Sequence, residues 1–140
     1  MKKFGVWGVV VGIVVACLLA AAMVLSRSGV AQADSVQIEA KTWTLIEWAE
    51  SAPLPAAPVT IQIEAGRLHA QLPCNSVTAP VQIGASEFHV GAGAATLKFC
   101  DQMADETAVT QLLGSVQVWR IDAGELVLSS GDEPVLRFTA

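Results

Sequence analysis

Between residues 59 and 72, apolar and polar side chains alternate with a single interruption. Val59, Ile61, Ile63 and Ala65 are separated by Thr60, Gln62 and Glu64; past Gly66 the pattern resumes, with Leu68, Ala70 and Leu72 set against Arg67, His69 and Gln71. A period of two over this length fits a half-buried strand and not a helix, whose apolar positions recur every three or four residues. The Gly66-Arg67 break turns the chain back, so the stretch is a β-hairpin with one face toward a core. The rest of the chain has to cover that face.

Most of the chain beyond Asp34 has the same character. Val36, Ile38, Ala40, Trp43 and Leu45 alternate with polar neighbours as one strand, bent near Lys41. Residues 48–59 carry Pro53, Pro55 and Pro58 and form a loop. Residues 77–83 make a weaker strand in which Pro80 implies an edge or a bulge. Phe88 and Val90 come next, then a turn at Gly91-Ala92-Gly93. Residues 101–113 change period: Met103, Ala104, Ala108, Val109, Leu112 and Leu113 fall at helical spacing. Asp101 suits the N-cap, Asp105 and Glu106 suit the positive end of the helix, and Gly114 suits its stop. Strands resume over residues 115–121, 125–129 and 135–139, with Leu126, Leu128, Leu136 and Phe138 inward. The expected fold is mostly β: a small curled antiparallel sheet or partly open barrel of seven or eight strands, with one α-helix over an opening.

The first 33 residues read differently. Lys2 and Lys3 precede residues 4–25, which carry no formal charge and as a helix would be about 33 Å long, close to the ~30 Å hydrocarbon core of a bilayer. Three readings compete. Ala31-Gln32-Ala33 has the small-x-small form of a signal-peptide cleavage site. The length of the apolar run favours an uncleaved transmembrane anchor, with Lys2 and Lys3 cytoplasmic. Val14-Val15-Ala16-Cys17 has the form of a lipid-attachment box at Cys17, although the residues after it stay apolar. Each places the remainder outside the cytoplasm, in the periplasm or at the cell exterior. The domains are therefore residues 1–33, a signal peptide or N-terminal hydrophobic helix that holds the membrane through residues 4–25, and residues 34–140, a β domain.

Residues 34–140 hold five basic and thirteen acidic residues, a net charge of −8. That balance argues against nucleic acid, whose phosphates need a basic stripe, and against peripheral binding to anionic lipid. It suits a basic exported partner.

Cys74 and Cys100 are the two cysteines of residues 34–140. In an exported domain an even count reads as a disulfide, with two buried free thiols as the alternative. The bond would close a loop of about 27 residues and contribute roughly 3–4 kcal/mol in the chain-entropy model.

The order of these features resembles the META domain family, which includes the HslJ heat-inducible lipoproteins. The resemblance rests on Trp43 in its strand, Gly66-Arg67 in the hairpin, Cys74-Asn75, Thr96 and Cys100 four residues apart, and Glu106 on the helix. Pro73, Lys98 and Phe99 depart from the usual motif, as does Ala70, so the chain reads as a divergent member. The resemblance implies an exported or membrane-attached β-rich domain linked to envelope stress or drug tolerance, without an established catalytic reaction.

Candidate chemistry is sparse. His69, His89 and Glu87 would make a metal site if their strands were neighbours, but two strand histidines without further ligand spacing read better as solvated side chains. Asn75 reads as a turn residue and Thr96 as a local hydrogen-bonding side chain. Arg67 and Arg120 suit surface ion pairs. There is no nucleophile elbow or phosphate-binding loop, and Asp105 and Glu106 are adjacent on a helix and so diverge. The expectation is no enzyme, no cofactor and no metal. The chain reads as a domain acting through protein contacts, with a lysozyme-inhibitor-like binder of a basic envelope protein and a small-ligand carrier as alternatives.

Overall fold

The computed structural model describes residues 37–49 and 53–140. The apolar residues 4–25, with the readings of cleavage, anchoring or lipidation at Cys17, lie outside the described residues. Among the described residues no helix is long and apolar enough to cross a membrane.

The described residues form nine strands and one long helix: β1 (Thr42–Trp48), β2 (Thr60–Glu64), β3 (Arg67–Gln71), β4 (Ser76–Ile83), β5 (Phe88–Val90), β6 (Ala94–Ala95), α1 (Met103–Ser115), β7 (Val118–Asp122), β8 (Glu125–Ser130) and β9 (Glu133–Thr139). The sheet runs β5-β4-β3-β2-β1-β9-β8-β7, antiparallel at every step, with β6 as a short addition to β4. Its two ends meet. Glu87 and Val118 form a bridge, Phe88 N–H donates to Gln117 O (2.9 Å) and Trp119 N–H donates to Ser86 O (2.8 Å). The expected partly open barrel is thus a nearly closed one.

The hairpin expected from residues 59–72 is present in register, with Ile61 opposite Ala70 and Ile63 opposite Leu68. Its turn is Ala65-Gly66, one residue earlier than the expected Gly66-Arg67, because Arg67 already pairs with Glu64 as the first residue of β3; both turn residues are at positive φ (49° and 72°), the twist that suits right-handed strands. Trp43, Ile61, Leu68, Phe88, Leu126, Leu128, Leu136 and Phe138 fill the barrel interior. Helix α1 packs against β5 and β9 and sends Val109 and Leu113 into the same core.

Five other local expectations need correction. Residues 37–40 are not strand: Gln37 and Ile38 lie in a helical turn and Ala40 is at φ 60°. The reason lies in the core, where the buried Trp43 Nε1–H donates to Ile38 O (2.9 Å) and folds the entry back. Strand β1 continues past Leu45 to Trp48, because a bulge between Leu45 and Glu47 adds a residue and returns Trp48 to the inside. Pro80 is not on an edge strand, since β4 lies between β3 and β5. It sits opposite Arg67, the first residue of β3, and its ring faces Gly91, where its missing N–H costs the ladder least. Gly91-Ala92-Gly93 is not a turn, because β5 and β6 both run antiparallel along β4 and the glycines carry the chain from one to the other with a one-residue slip. Finally, α1 begins at Met103 with Gln102, not Asp101, as N-cap, and continues through Gly114 to a cap at Val116. Gln102 offers no side-chain cap and instead its Oε1 accepts from Ala57 N–H (3.0 Å), tying the proline loop down.

The two glycine environments give opposite expectations. A Cβ on Gly93 would lie 2.6 Å from Thr78 O and 2.8 Å from Ala79 Cβ, with nowhere to move. Gly93→Ala is therefore expected to destabilise by about 1–3 kcal/mol. Gly114 has nothing within 4 Å of that position and is helical, so Gly114→Ala is expected to stabilise by about 0.5–1 kcal/mol. Thermal unfolding of the two variants, with midpoints moving in opposite directions, checks both.

Candidate functional site

The concentration of polar chemistry lies where the turn after β3 meets the start of α1. Residues 72–75 form a turn, with Leu72 N–H donating to Asn75 O (2.7 Å). Above it stands Glu106, the buried acid among the described residues, at 7 % exposure. Its place on the helix explains this: Glu106, Val109 and Leu113 are spaced three and seven apart and form one inward stripe. One carboxylate oxygen, Oε2, accepts from Cys74 N–H (2.9 Å) and Asn75 N–H (2.9 Å). The other, Oε1, accepts from Asn75 Nδ2–H (2.6 Å).

Asn75 passes the connection on. Its Nδ2 also donates to Lys98 O (3.0 Å), and its Oδ1 accepts from Lys98 N–H (2.7 Å) and Thr96 Oγ1–H (2.8 Å). Thr96 Oγ1 in turn accepts from Ser76 N–H (3.1 Å). The side chain of Asn75 thus acts as a strand partner for Lys98, continuing the β4–β6 ladder for one step beyond the N-terminal end of β4. The Cys74–Cys100 disulfide closes the same unit, with the two α-carbons 5.9 Å apart. Hydrogen bonds to a charged partner contribute about 1.5–3 kcal/mol each, and burying a carboxylate without them would be prohibitive.

Of the residues singled out from sequence, Cys74, Asn75, Thr96, Cys100 and Glu106 come together in this network. Trp43 lies apart in the core, and Gly66 and Arg67 lie at the β2–β3 turn. Asn75 does end the turn of residues 72–75, but it is not at positive φ, and its side chain bonds Glu106, Lys98 and Thr96 across the structure. His69 and His89 do not meet, because β4 separates their strands; His69 Nδ1 lies 3.2 Å from Thr78 Oγ1. Among the described residues, no three histidine, cysteine or acidic side chains stand together as metal ligands. Arg137, which no sequence pattern marks out, is the ion-pair hub: it reaches Glu125 (3.0 Å), Glu47 (3.1 Å) and Asp122 (4.0 Å), while Arg120 stands 4.0 Å from Asp122. The hydrogen bond to Glu125 raises the Arg137 guanidinium above its ordinary value, so it stays cationic at any pH the fold meets.

The family model for the META domain matches residues 36–140. The chain belongs to the META domain family. No curated protein and no solved structure matches it significantly. The matched region covers the whole barrel, and this META domain holds its Cys-Asn and Thr-x-x-x-Cys elements in a single hydrogen-bonded unit.

Beside that unit runs a groove of ≈ 290 Å³ between α1 and residues 95–99, with Leu72, Val77, Ala95, Met103 and Thr110 in its walls. A second hollow of ≈ 240 Å³ adjoins it, sharing Leu72, Val77, Ala95 and Thr110. Leu97 and Phe99 stand on the lip of the groove at 92 % and 93 % exposure.

Proposed function

We propose that this META domain is an exported, non-catalytic envelope domain that acts through protein contacts in stress or drug tolerance. The observation that carries this reading is the use made of the motif side chains. Glu106, Asn75 and Thr96 are committed to one another and to the backbone, so they hold a surface in shape and leave no acid–base pair facing a substrate. The disulfide supports an oxidising compartment. The charged n-region and apolar residues 4–25 support export. The barrel interior is filled by side chains, so a carrier role would have to use the surface groove.

Deleting the gene from its native cell and challenging growth with heat, envelope stress and antibiotics tests the reading. Sensitivity restored by the intact chain is the expected result, and unchanged growth under every challenge argues against it.

The charge of −8 favours a second reading, an inhibitor of a basic exported protein such as a lysozyme. Salt-sensitive inhibition would support it, and full lysozyme activity at low salt with excess domain would end it.

A further inference from the structure

Closing a sheet into a barrel removes its free edges, and here one edge is left over. Between β4 and the disulfide, residues 94–99 run extended along β4 and then along Asn75. Backbone groups alternate sides along such a run. Thr96 N–H donates to Ser76 O (3.1 Å), and Lys98 N–H and O both bond to the Asn75 side chain, so these residues face inward. Leu97 and Phe99 face the other way, and no hydrogen bond to their N–H or C=O groups is found among the described residues. Their side chains are almost wholly exposed.

An apolar strand edge of this kind is a liability that proteins usually blunt with charge, proline or a covering element. Lys98 is the one charge in residues 94–99. The edge is also held in place: Asn75 grips Lys98 from both backbone directions, Thr96 is tied to Asn75 and Ser76, and Cys100 is fixed covalently. Exposed but fixed main-chain donors and acceptors, beside an apolar groove, form a preorganised site.

We propose that residues 94–99 and the groove beside α1 bind an extended, apolar segment of a partner protein by strand addition. This rests on the protein-contact reading above and names its surface. The backbone groups of Leu97 and Phe99 call for another main chain, and the groove, larger than one leucine side chain, calls for apolar side chains at alternate positions. A bilayer fits poorly, since it offers no partners for those backbone groups and the domain's acidity opposes anionic lipid. A second copy fits poorly as well, because each domain carries −8 and six residues of edge fall well short of the ~1,200 Å² of a stable dimer.

The test uses the full chain in nanodiscs of zwitterionic phospholipid and a phage-displayed library of random twelve-residue peptides. Expected are selected peptides with apolar residues at alternate positions, whose binding slows hydrogen exchange at the Leu97 and Phe99 amides. Leu97→Glu combined with Phe99→Glu should weaken that binding by about tenfold or more. Leu97→Pro, which removes one outward N–H, should weaken it too. Both sites are surface positions, so thermal midpoints should stay unchanged. The proposal is overturned if no peptide is selected, or if selected peptides bind the double-glutamate chain equally well. It is also overturned if the two amides are protected before peptide is added: protection at all concentrations means that the bilayer or the chain's own residues 1–36 cover the edge, and protection only at high concentration means that a second copy does. Full complementation of the deletion strain by the double-glutamate chain would remove this edge while leaving the envelope reading intact; a deletion without phenotype would do the reverse.

Discussion

Glu106→Ala is expected to lower the unfolding free energy by about 3–5 kcal/mol, far more than its position near a helix start would suggest. The substitution removes no large apolar surface. It leaves the Cys74 and Asn75 amides and the Asn75 Nδ2–H without their acceptor in a buried place. Glu106→Gln keeps one oxygen but turns an NH₂ toward a donor, so about 1–3 kcal/mol is expected from it. Asn75→Asp sets a second carboxylate against Glu106, at the 2.6 Å contact now made by Nδ2, and should rank with the alanine variant. Thr107→Ala, exposed on the next residue, should stay within about 0.5 kcal/mol of the parent. Urea unfolding of the full chain followed by tryptophan fluorescence reads all four. A Glu106→Ala loss under about 1 kcal/mol would mean that water replaces the carboxylate at little cost and that the network is not what positions the turn.

This site shows where sequence reasoning reaches and where it stops. The hairpin of β2 and β3 is legible because a period of two survives any tertiary context that buries one face. The inward set Leu126, Leu128, Leu136 and Phe138 is legible for the same reason, and the pairing of Cys74 with Cys100 comes from an even cysteine count. A bulge leaves no such mark. The extra residue in β1 looks like the end of an alternation, which is why Trp48 reads as loop. The slip between β5 and β6 looks like a glycine turn, although two glycines close against Pro80, Thr78 and Ala79 are there for lack of space. Strand order is equally silent in the sequence, so nothing in the spacing of His69 and His89 could reveal β4 between them. Asn75 and Glu106 lie 31 residues apart, and each alone has an ordinary local explanation. One signal is available: Glu106 shares a helical stripe with Val109 and Leu113, and an acid on an apolar stripe needs a partner.

The second large effect concerns the disulfide, which ties residues 26 apart in sequence. Replacing both cysteines with serine is expected to cost about 3–4 kcal/mol, the loop-closure entropy the bond removes from the unfolded chain. The more informative result is the combination with Glu106→Ala. Cys74 is held twice, through its sulfur to Cys100 and through its amide to Glu106, and Asn75 beside it carries the link on to Lys98. With the bond intact, removing Glu106 strands buried donors on a turn that cannot move. With the bond gone, the turn can swing its amides into water, so part of the Glu106 penalty has already been relieved. The triple substitution should therefore lose less than the separate losses added together, by about 0.5–3 kcal/mol, as expected for groups that share a partner. Strict additivity in a double-mutant cycle would show that the sulfur and the carboxylate hold the turn independently. A loss greater than additive would show instead that each keeps the turn in place when the other is missing.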